Sequence, residues 1–346
     1  MSDILENERY ISDIKKVLNG FDFTPLKGKT LLISGGLGLV CSAVVDLLIE
    51  YNKCSHADIR IYVAARNNSR FVERYGSYSC VKYLQYDAIM PIHFDVRADY
   101  IIHGAGLSSP ELYVTKPVET MLSNFKGVLN LLDYARQHHT ERMLYISSSE
   151  VYGTKDVSDS FEENKFGSVN INEIRSSYSE SKRASEMLCR SYTAEYDVDT
   201  VIVRPGHIYG PTASPADKKI SSEFAYLAAK GKPLEMKSLG LQKRSYCYSL
   251  DCAAAILIAL INGKKGESYN IGHDEITSIR EMVQILANVG KVDLKMSTPT
   301  EGDLKRFNPM DNSTLNNDKI KAIGYRDTFS VYEGFSHTVE ILKQIL

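Results

Sequence analysis

The sequence predicts a doubly wound α/β fold, a parallel sheet covered by helices on both faces, with a smaller lobe at the C-terminal end. Two observations carry this prediction. Apolar runs rich in β-branched residues alternate with helical patterns as far as Pro205, and a glycine-rich turn directly follows the first run. Strands of such a sheet are buried on both faces and so read as continuous apolar stretches.

Taken in order, the strands are KTLLIS, IRIYVAA, VKYLQY, DYIIHGAG, RMLYISS and TVIVRP. Helical patterns at 38–50, 117–138 and 176–195 separate several of them, as parallel connections require. Beyond Gly210 the alternation loosens. A helix is expected near 219–230, then the polar stretch KSLGLQKRSYCYS, a helix over about 250–262 and a last one over 331–345. Ahead of the first strand, Tyr10, Ile11, Ile14, Val17 and Leu18 recur at helical spacing until Asn19-Gly20 ends the pattern. That helix packs either on the domain or on a partner subunit. The organisation read from these patterns is an N-terminal helical extension over 1–28, a dinucleotide-binding Rossmann domain over 29–205, and 206–346 forming mainly a substrate lobe. Some segments of the last part return to pack on the Rossmann domain.

Of 346 residues, 43% are hydrophobic and 24% charged, which suits a globular chain with a large core. Lys and Arg number 41 against 43 Asp and Glu, so no basic excess draws the protein to nucleic acid or anionic lipid. The six cysteines show neither a CxxC pair nor histidines at ligand spacing, so no metal site is expected and a reducing cytoplasm suits them. The start MSDILENERY is acidic where a secretory signal is basic and then apolar, and no stretch approaches the roughly 20 apolar residues of a membrane span.

After LLIS come Gly35-Gly36-Leu37-Gly38-Leu39-Val40-Cys41. Gly35 and Gly38 keep the spacing of a turn whose bare backbone lets a pyrophosphate reach a helix N-terminus. Cys41 stands where a third glycine allows close helix-to-strand packing. The second strand ends Ala64-Ala65-Arg66-Asn67, without the carboxylate that bonds the adenosine ribose of NAD. Arg66, with Arg70, either holds a 2′-phosphate, which tilts the cofactor from NAD toward NADP, or is a solvated arginine past a strand end.

Two further stretches point to chemistry. YISSSEVYG sets Ser147, Ser148, Ser149 and Glu150 at the end of a buried strand, where polar groups need partners or a use. Tyr178 and Lys182, four apart on one helix, share a face, so the ammonium is expected to lower the phenol's pKa for proton transfer near neutral pH.

In these residues the chain resembles the extended short-chain dehydrogenases/reductases of the NAD-dependent epimerase/dehydratase family that act on nucleotide sugars. The resemblance runs from about Lys29 to Ile345. It includes the glycine turn, Asp87 in YDA, IIHGAG, Asn124-Phe-Lys-Gly127, SSSEVYG, the Tyr178/Lys182 pair, RPGHIYG, Gln242-Lys-Arg244-Ser-Tyr and SYNIG. It implies that Tyr178 takes the proton of a sugar 4-hydroxyl while hydride leaves C4, that Ser148 bonds the same hydroxyl, and that Lys182 holds the nicotinamide ribose. It also implies that Gly35, Gly38, Leu39, Val40, Arg66, Asp87, Ala88, Gly104, Ala105, Gly106 and Asn124 surround the dinucleotide with Tyr178 and Lys182. Arg244 and Arg306 would meet the substrate diphosphate or nucleotide, and the helices at 117–138 and 176–195 would pair with their copies in a homodimer.

The 4,6-dehydratases of that family read Thr-Asp-Glu where this chain has Ser148-Ser149-Glu150, so the acid that protonates the departing 6-hydroxyl is missing. UDP-glucuronate decarboxylases read Thr-Ser-Glu and are similar again at YxEGKR. The resemblance thus implies decarboxylation of a nucleotide-linked uronic acid or 4-epimerisation. The alternatives are NADPH-dependent reduction of a nucleotide-linked ketone and a non-catalytic binding protein. His207 replaces the family's asparagine in RIFNTYG, and is either a third titrating group facing a different substrate or a hydrogen-bonded structural histidine. Glu150 is either catalytic or simply caps or bridges near the strand end.

Overall fold

The structure, a computed structural model, describes residues 4–154, 159–298 and 312–346. The chain enters through helix α1, Glu8–Gly20, in which Tyr10, Ile14 and Val17 are buried and Asn7 caps the first turn by accepting from Tyr10 N. Strand β1, Thr30–Ser34, is buried throughout and leads into helix α2, Leu39–Ser55. Strand β2, Arg60–Ala65, helix α3, Asn68–Tyr75, and strand β3, Val81–Gln85, follow. Strand β4, Tyr100–His103, then gives way to the short helix α4, Pro110–Thr115, and the long α5, Pro117–Gln137. Strand β5, Arg142–Ile146, helix α6, Ser177–Tyr196, and strand β6, Thr200–Pro205, complete the regular alternation.

The later segment contributes β7, His207–Tyr209, α7, Ile220–Ala229, β8, Leu234–Met236, β9, Lys243–Arg244, and β10, Tyr246–Tyr248. Then come α8, Ser249–Asn262, β11, Ser268–Ile271, α9, Ile279–Gly290, and α10, Val331–Ile345.

Seven strands form one sheet in the order β11-β6-β5-β4-β1-β2-β3, every neighbouring pair parallel. The chain winds outward from β1 to β3, returns to β4 on the other side of β1, and winds outward again. The reversal between β1 and β4 opens a crevice beyond the carboxyl ends of these strands, where ligands of open α/β sheets bind. Two segments from the second half return to the sheet: β11 pairs with β6, and α8, buried from Ser249 to Leu260, packs on α2.

Buried polar contacts fasten α1 to this body. Tyr10 Oη donates to Asp46 Oδ2 of α2 at 2.8 Å, Arg74 of α3 meets the same carboxylate at 2.6 Å, and Tyr248 Oη donates to Asp13 at 3.1 Å. His337 Nδ1 of α10 lies 3.0 Å from Asp13. Burial still raises the Asp46 carboxyl, with Arg74 opposing it. Of the two packings left open for the N-terminal helix, the chain uses the one on its own domain.

Several family motifs turn out to be joints. Arg204, 1% exposed, binds Glu186 of α6 through Nε and Nη2 at 2.9 and 2.6 Å, and its Nη1 donates to Tyr152 Oη at 2.9 Å. Tyr152 Oη donates in turn to Asn270 Oδ1 at 2.5 Å. One buried network thereby joins VYG, RPG and SYNIG, and closes the sheet's β6–β11 side against α6.

Candidate active site

A cleft of about 1800 Å³ lies over the β1/β4 reversal, between the sheet and the segments carrying α7 and β9. On its sheet side it is lined by Gly35, Gly38, Leu39, Val40, Arg66, Asp87, Ala88 and Gly104 to Gly106. Tyr178, Lys182 and Ser148 to Glu150 lie deeper, and His207 and Arg244 line the far wall. Asn124 is not brought into this lining. It is 1% exposed behind Gly106, with Nδ2 donating to Thr120 O at 2.9 Å and Ser181 Oγ at 3.2 Å. Arg306 lies outside the described residues.

The glycine turn fits a dinucleotide. Gly35 has φ +76°, and a Cβ there would stand 2.9 Å from Ala105 N. Gly38 caps α2 without a side chain, so the first amides of a 17-residue helix are left to an anion. Cys41, in place of the third glycine, is accommodated because its neighbour has no side chain: a Cβ on Gly104 would come within 2.4 Å of its Sγ. The space the motif's third glycine leaves open is kept by a glycine on another strand. Arg66 is exposed at the rim, and Arg70 Nη2 reaches Leu37 O at 3.4 Å.

Beyond β5 the chain makes a short turn, Ser149–Tyr152, capped by Ser148, whose Oγ accepts from Glu150 N at 3.2 Å. With one lone pair so engaged, the Ser148 hydroxyl keeps its proton for another partner, and it acts to lower the Tyr178 phenol. This resolves part of the polar cluster at the strand end. Glu150 bridges rather than caps: its carboxylate is gripped by both Nη atoms of Arg175, at 2.9 and 2.8 Å. Ser147 is 5% exposed with Oγ unpartnered.

Tyr178 and Lys182 sit on successive turns of α6, but the expected lowering of the phenol is not the balance this fold strikes. Burial raises Tyr178 to about 12, and the Ser148 and Tyr113 hydroxyls pull the other way. Lys182 is itself brought down to about 8 by burial, Glu186 opposing. Its Nζ donates to Ile146 O at 2.9 Å and stands 5.8 Å from the centre of the Tyr178 ring. Spacing on a helix brings the two onto one face; the low polarity of the pocket then disfavours both charges.

His207 settles as a neutral group. Burial, then Arg244 and Lys219, bring it down to about 3, and Nε2 lies 3.0 Å from Ser313 Oγ. Of the two readings open to it, the hydrogen-bonded histidine fits. Arg244 is 2% exposed, with Nη1 donating to Lys243 O at 2.8 Å.

Sequence reasoning missed Arg175 and Tyr113. Tyr113 of α4 stacks on Tyr178 with centroids 4.2 Å apart and planes 9° apart. Arg175 lies only three residues before Tyr178 and so was within reach of inspection, whereas the stack joins segments distant in sequence and leaves no spacing signal.

Compared with known proteins, residues 31–272 match the model of the NAD dependent epimerase/dehydratase family. The chain belongs to that family. It is 32% identical over 282 residues to UDP-glucuronic acid decarboxylase 3 of Arabidopsis thaliana, covering 81% of this chain and 80% of that protein. It is 27% identical over 333 residues to the dTDP-D-glucose 4,6-dehydratase of Homo sapiens, covering 91% and 90%. Among solved structures, UDP-glucose 4-epimerase from Thermotoga maritima with UDP-glucose superposes with a TM-score of 0.76 at 22% identity, over 91% of this chain and 99% of that one. The protein is thus an enzyme of the NAD dependent epimerase/dehydratase family, with the doubly wound parallel sheet its sequence predicts. Among the described residues no helix is long and apolar enough to cross a membrane.

Proposed function

We propose that the protein modifies a nucleotide-linked sugar by oxidising it at C4, as a UDP-glucuronate decarboxylase or a 4-epimerase. The observation that carries this reading is the meeting of Ser148, Tyr178 and Lys182 at the floor of one cleft, facing the Gly35–Gly38 turn. A bound nicotinamide dinucleotide would supply a reversible hydride acceptor for C4, and the C4 ketone of a uronic-acid sugar is a β-keto acid that can lose carbon dioxide before the hydride returns.

The chain supplies the rest. Tyr178 accepts the proton of the 4-hydroxyl, and Ser148, its own lone pair occupied by Glu150 N, holds the oxygen in place. Lys182 stands beside Tyr178 as the cation for the dinucleotide's ribose and for the developing phenolate. Ser149 and the Glu150–Arg175 pair line the sugar side, with no acid at position 149 to protonate a leaving 6-hydroxyl, which disfavours dehydration. Arg244, with Arg306, binds the diphosphate or nucleotide, and neutral His207 faces the substrate as a hydrogen-bonding group. Asn124 supports the nicotinamide side from behind Gly106. Asp87 and Ala88 hold the adenine side.

The cofactor is NAD or NADP, and Arg66 at the rim supports the latter. That arginine also favours a second reading, net reduction of a nucleotide-linked ketone with stoichiometric use of NADPH. The enzyme functions as a homodimer in the cytoplasm. Val118, Met121, Leu122 and Phe125 make an exposed apolar stripe at helical spacing along α5, with Met187 exposed on α6. The six cysteines are unpaired. Incubation with UDP-, CDP-, GDP- and dTDP-sugars tests the reading by product mass. Loss of about 44 mass units means decarboxylation, an unchanged mass with a new sugar means epimerisation, and a gain of about 2 means reduction. No product from any of them contradicts it.

A further inference from the structure

Helix α4 has no part in the chemistry described so far, yet it puts a second phenol against the first. Tyr113 is 4% exposed, and its ring lies parallel to that of Tyr178, 4.2 Å between centroids and 9° between planes. Each hydroxyl acts on the other's ionisation: that of Tyr113 favours ionisation of Tyr178, and Tyr178 raises the Tyr113 phenol. Parallel rings alone are packing. A parallel pair whose hydroxyls also act on each other's ionisation holds the plane of the Tyr178 ring and sets a donor near its oxygen.

The mount that holds Tyr113 is built from the segment that carries Tyr178. Ser177 Oγ donates to Tyr113 O at 3.1 Å, and the Arg175 guanidinium lies 5.9 Å from the centre of the Tyr113 ring. The Glu150 carboxylate orients that guanidinium. α4 is therefore registered against the start of α6 by a backbone carbonyl and by two ring contacts, one with Tyr178 and one with Arg175. An exposed helix of six residues has no need of three such ties to stay folded.

We infer that Tyr113 is a positioning residue for the acid/base group: its hydroxyl donates to Tyr178 Oη and holds the phenolate that proton transfer creates. This rests on the reading of Tyr178 as the acid/base residue. Burial and the neighbouring Tyr178 and Glu150 hold the Tyr113 phenol far above the ordinary range, so it stays the donor of the pair. On Tyr178 the Ser148 and Tyr113 hydroxyls both act against burial. The other titratable groups around Tyr178 are Glu150, which opposes ionisation, Arg175, which favours it, Lys182, with Nζ 5.8 Å from the ring centre, and the buried Tyr145. Neither Tyr113 nor Ser148 carries charge, so their effect is hydrogen bonding to the charged form.

The test replaces Tyr178 by difluorotyrosine, whose lower intrinsic pKa brings ionisation into an accessible range, and follows its fluorine resonance against pH in the holoenzyme. The Tyr113→Phe change keeps the ring and removes the donor. The expected result is a midpoint about one pH unit higher, a roughly tenfold loss of ionised phenol at fixed pH. The acid limb of kcat/KM for UDP-glucuronate should move up by the same amount. A midpoint unchanged in Tyr113→Phe overturns the inference and leaves the role of Tyr178 standing. Turnover unchanged in Tyr178→Phe overturns the role of Tyr178 whatever Tyr113 does. Should Tyr113→Phe fail to fold, Ser177→Ala loosens the α4 mount while leaving both phenols, and the same upward shift, smaller, is expected. Its absence counts against the inference.

Discussion

Arg175 meets the Glu150 carboxylate as a fork, Nη1 donating at 2.9 Å and Nη2 at 2.8 Å, on the wall of the cleft that carries Tyr178. Both side chains are partly buried, at 31% and 22% exposure, so the paired geometry is stronger than that of a surface ion pair. Arg175→Met should lower turnover of a nucleotide sugar roughly a hundredfold, because it leaves the carboxylate unpaired in the site. Arg175→Lys should recover little, since an ammonium cannot make the fork. Steady-state kinetics of the two variants checks this.

The turn at Gly35 predicts a binding defect. With φ +76° and Ala105 N only 2.9 Å from where a Cβ would sit, Gly35→Ala both strains the backbone and pushes the β4 loop out of the cradle. Retention of dinucleotide through purification should fall at least about tenfold, measured by absorbance of released cofactor.

Cys41 and Gly104 should be coupled. Gly104→Ala alone forces its methyl to within 2.4 Å of Cys41 Sγ and should destabilise the protein by about 1–3 kcal/mol. Cys41→Gly in the same chain should recover much of that loss. Denaturant unfolding of both single variants and the double one measures the coupling.

His207 predicts a pH dependence. The folded chain holds it near 3, against about 6.5 when unfolded, so on acidification the unfolded chain takes up the proton first. The stability it contributes is complete above about pH 6.5 and is lost as pH falls toward the folded value. Relative to His207→Asn, the wild type should lose on the order of 2 kcal/mol between about pH 7 and about pH 4.5, read from urea unfolding at each pH.

Much of this architecture could be read in the chain. Tyr178 and Lys182 share a face because a helix repeats every 3.6 residues, and Gly35 and Gly38 announce their turn because only a bare backbone fits it. The acidity of those groups could not be read, because it depends on burial: spacing places Lys182 beside Tyr178, while the fold turns its Nζ to Ile146 O and takes both groups out of water. The roles of Arg204, Tyr152 and Asn270 were equally hidden, since a motif residue gives no sign of whether it faces a ligand or, as here, its own neighbours. Asn124 shows the same thing from the other side, a motif residue lying behind the wall it was expected to line. The capping box of Ser278 and Glu281 that opens α9 is a local signal and is plain in the sequence, unlike the Tyr113–Tyr178 stack, which only tertiary packing creates.

Turnover of UDP-glucuronate by Tyr178→Phe holoenzyme, set against wild type at the same dinucleotide occupancy, tests most directly whether this phenol moves the proton at C4. The account predicts a fall of roughly a thousandfold in kcat with the substrate still bound. A variant within about tenfold of wild type would contradict it.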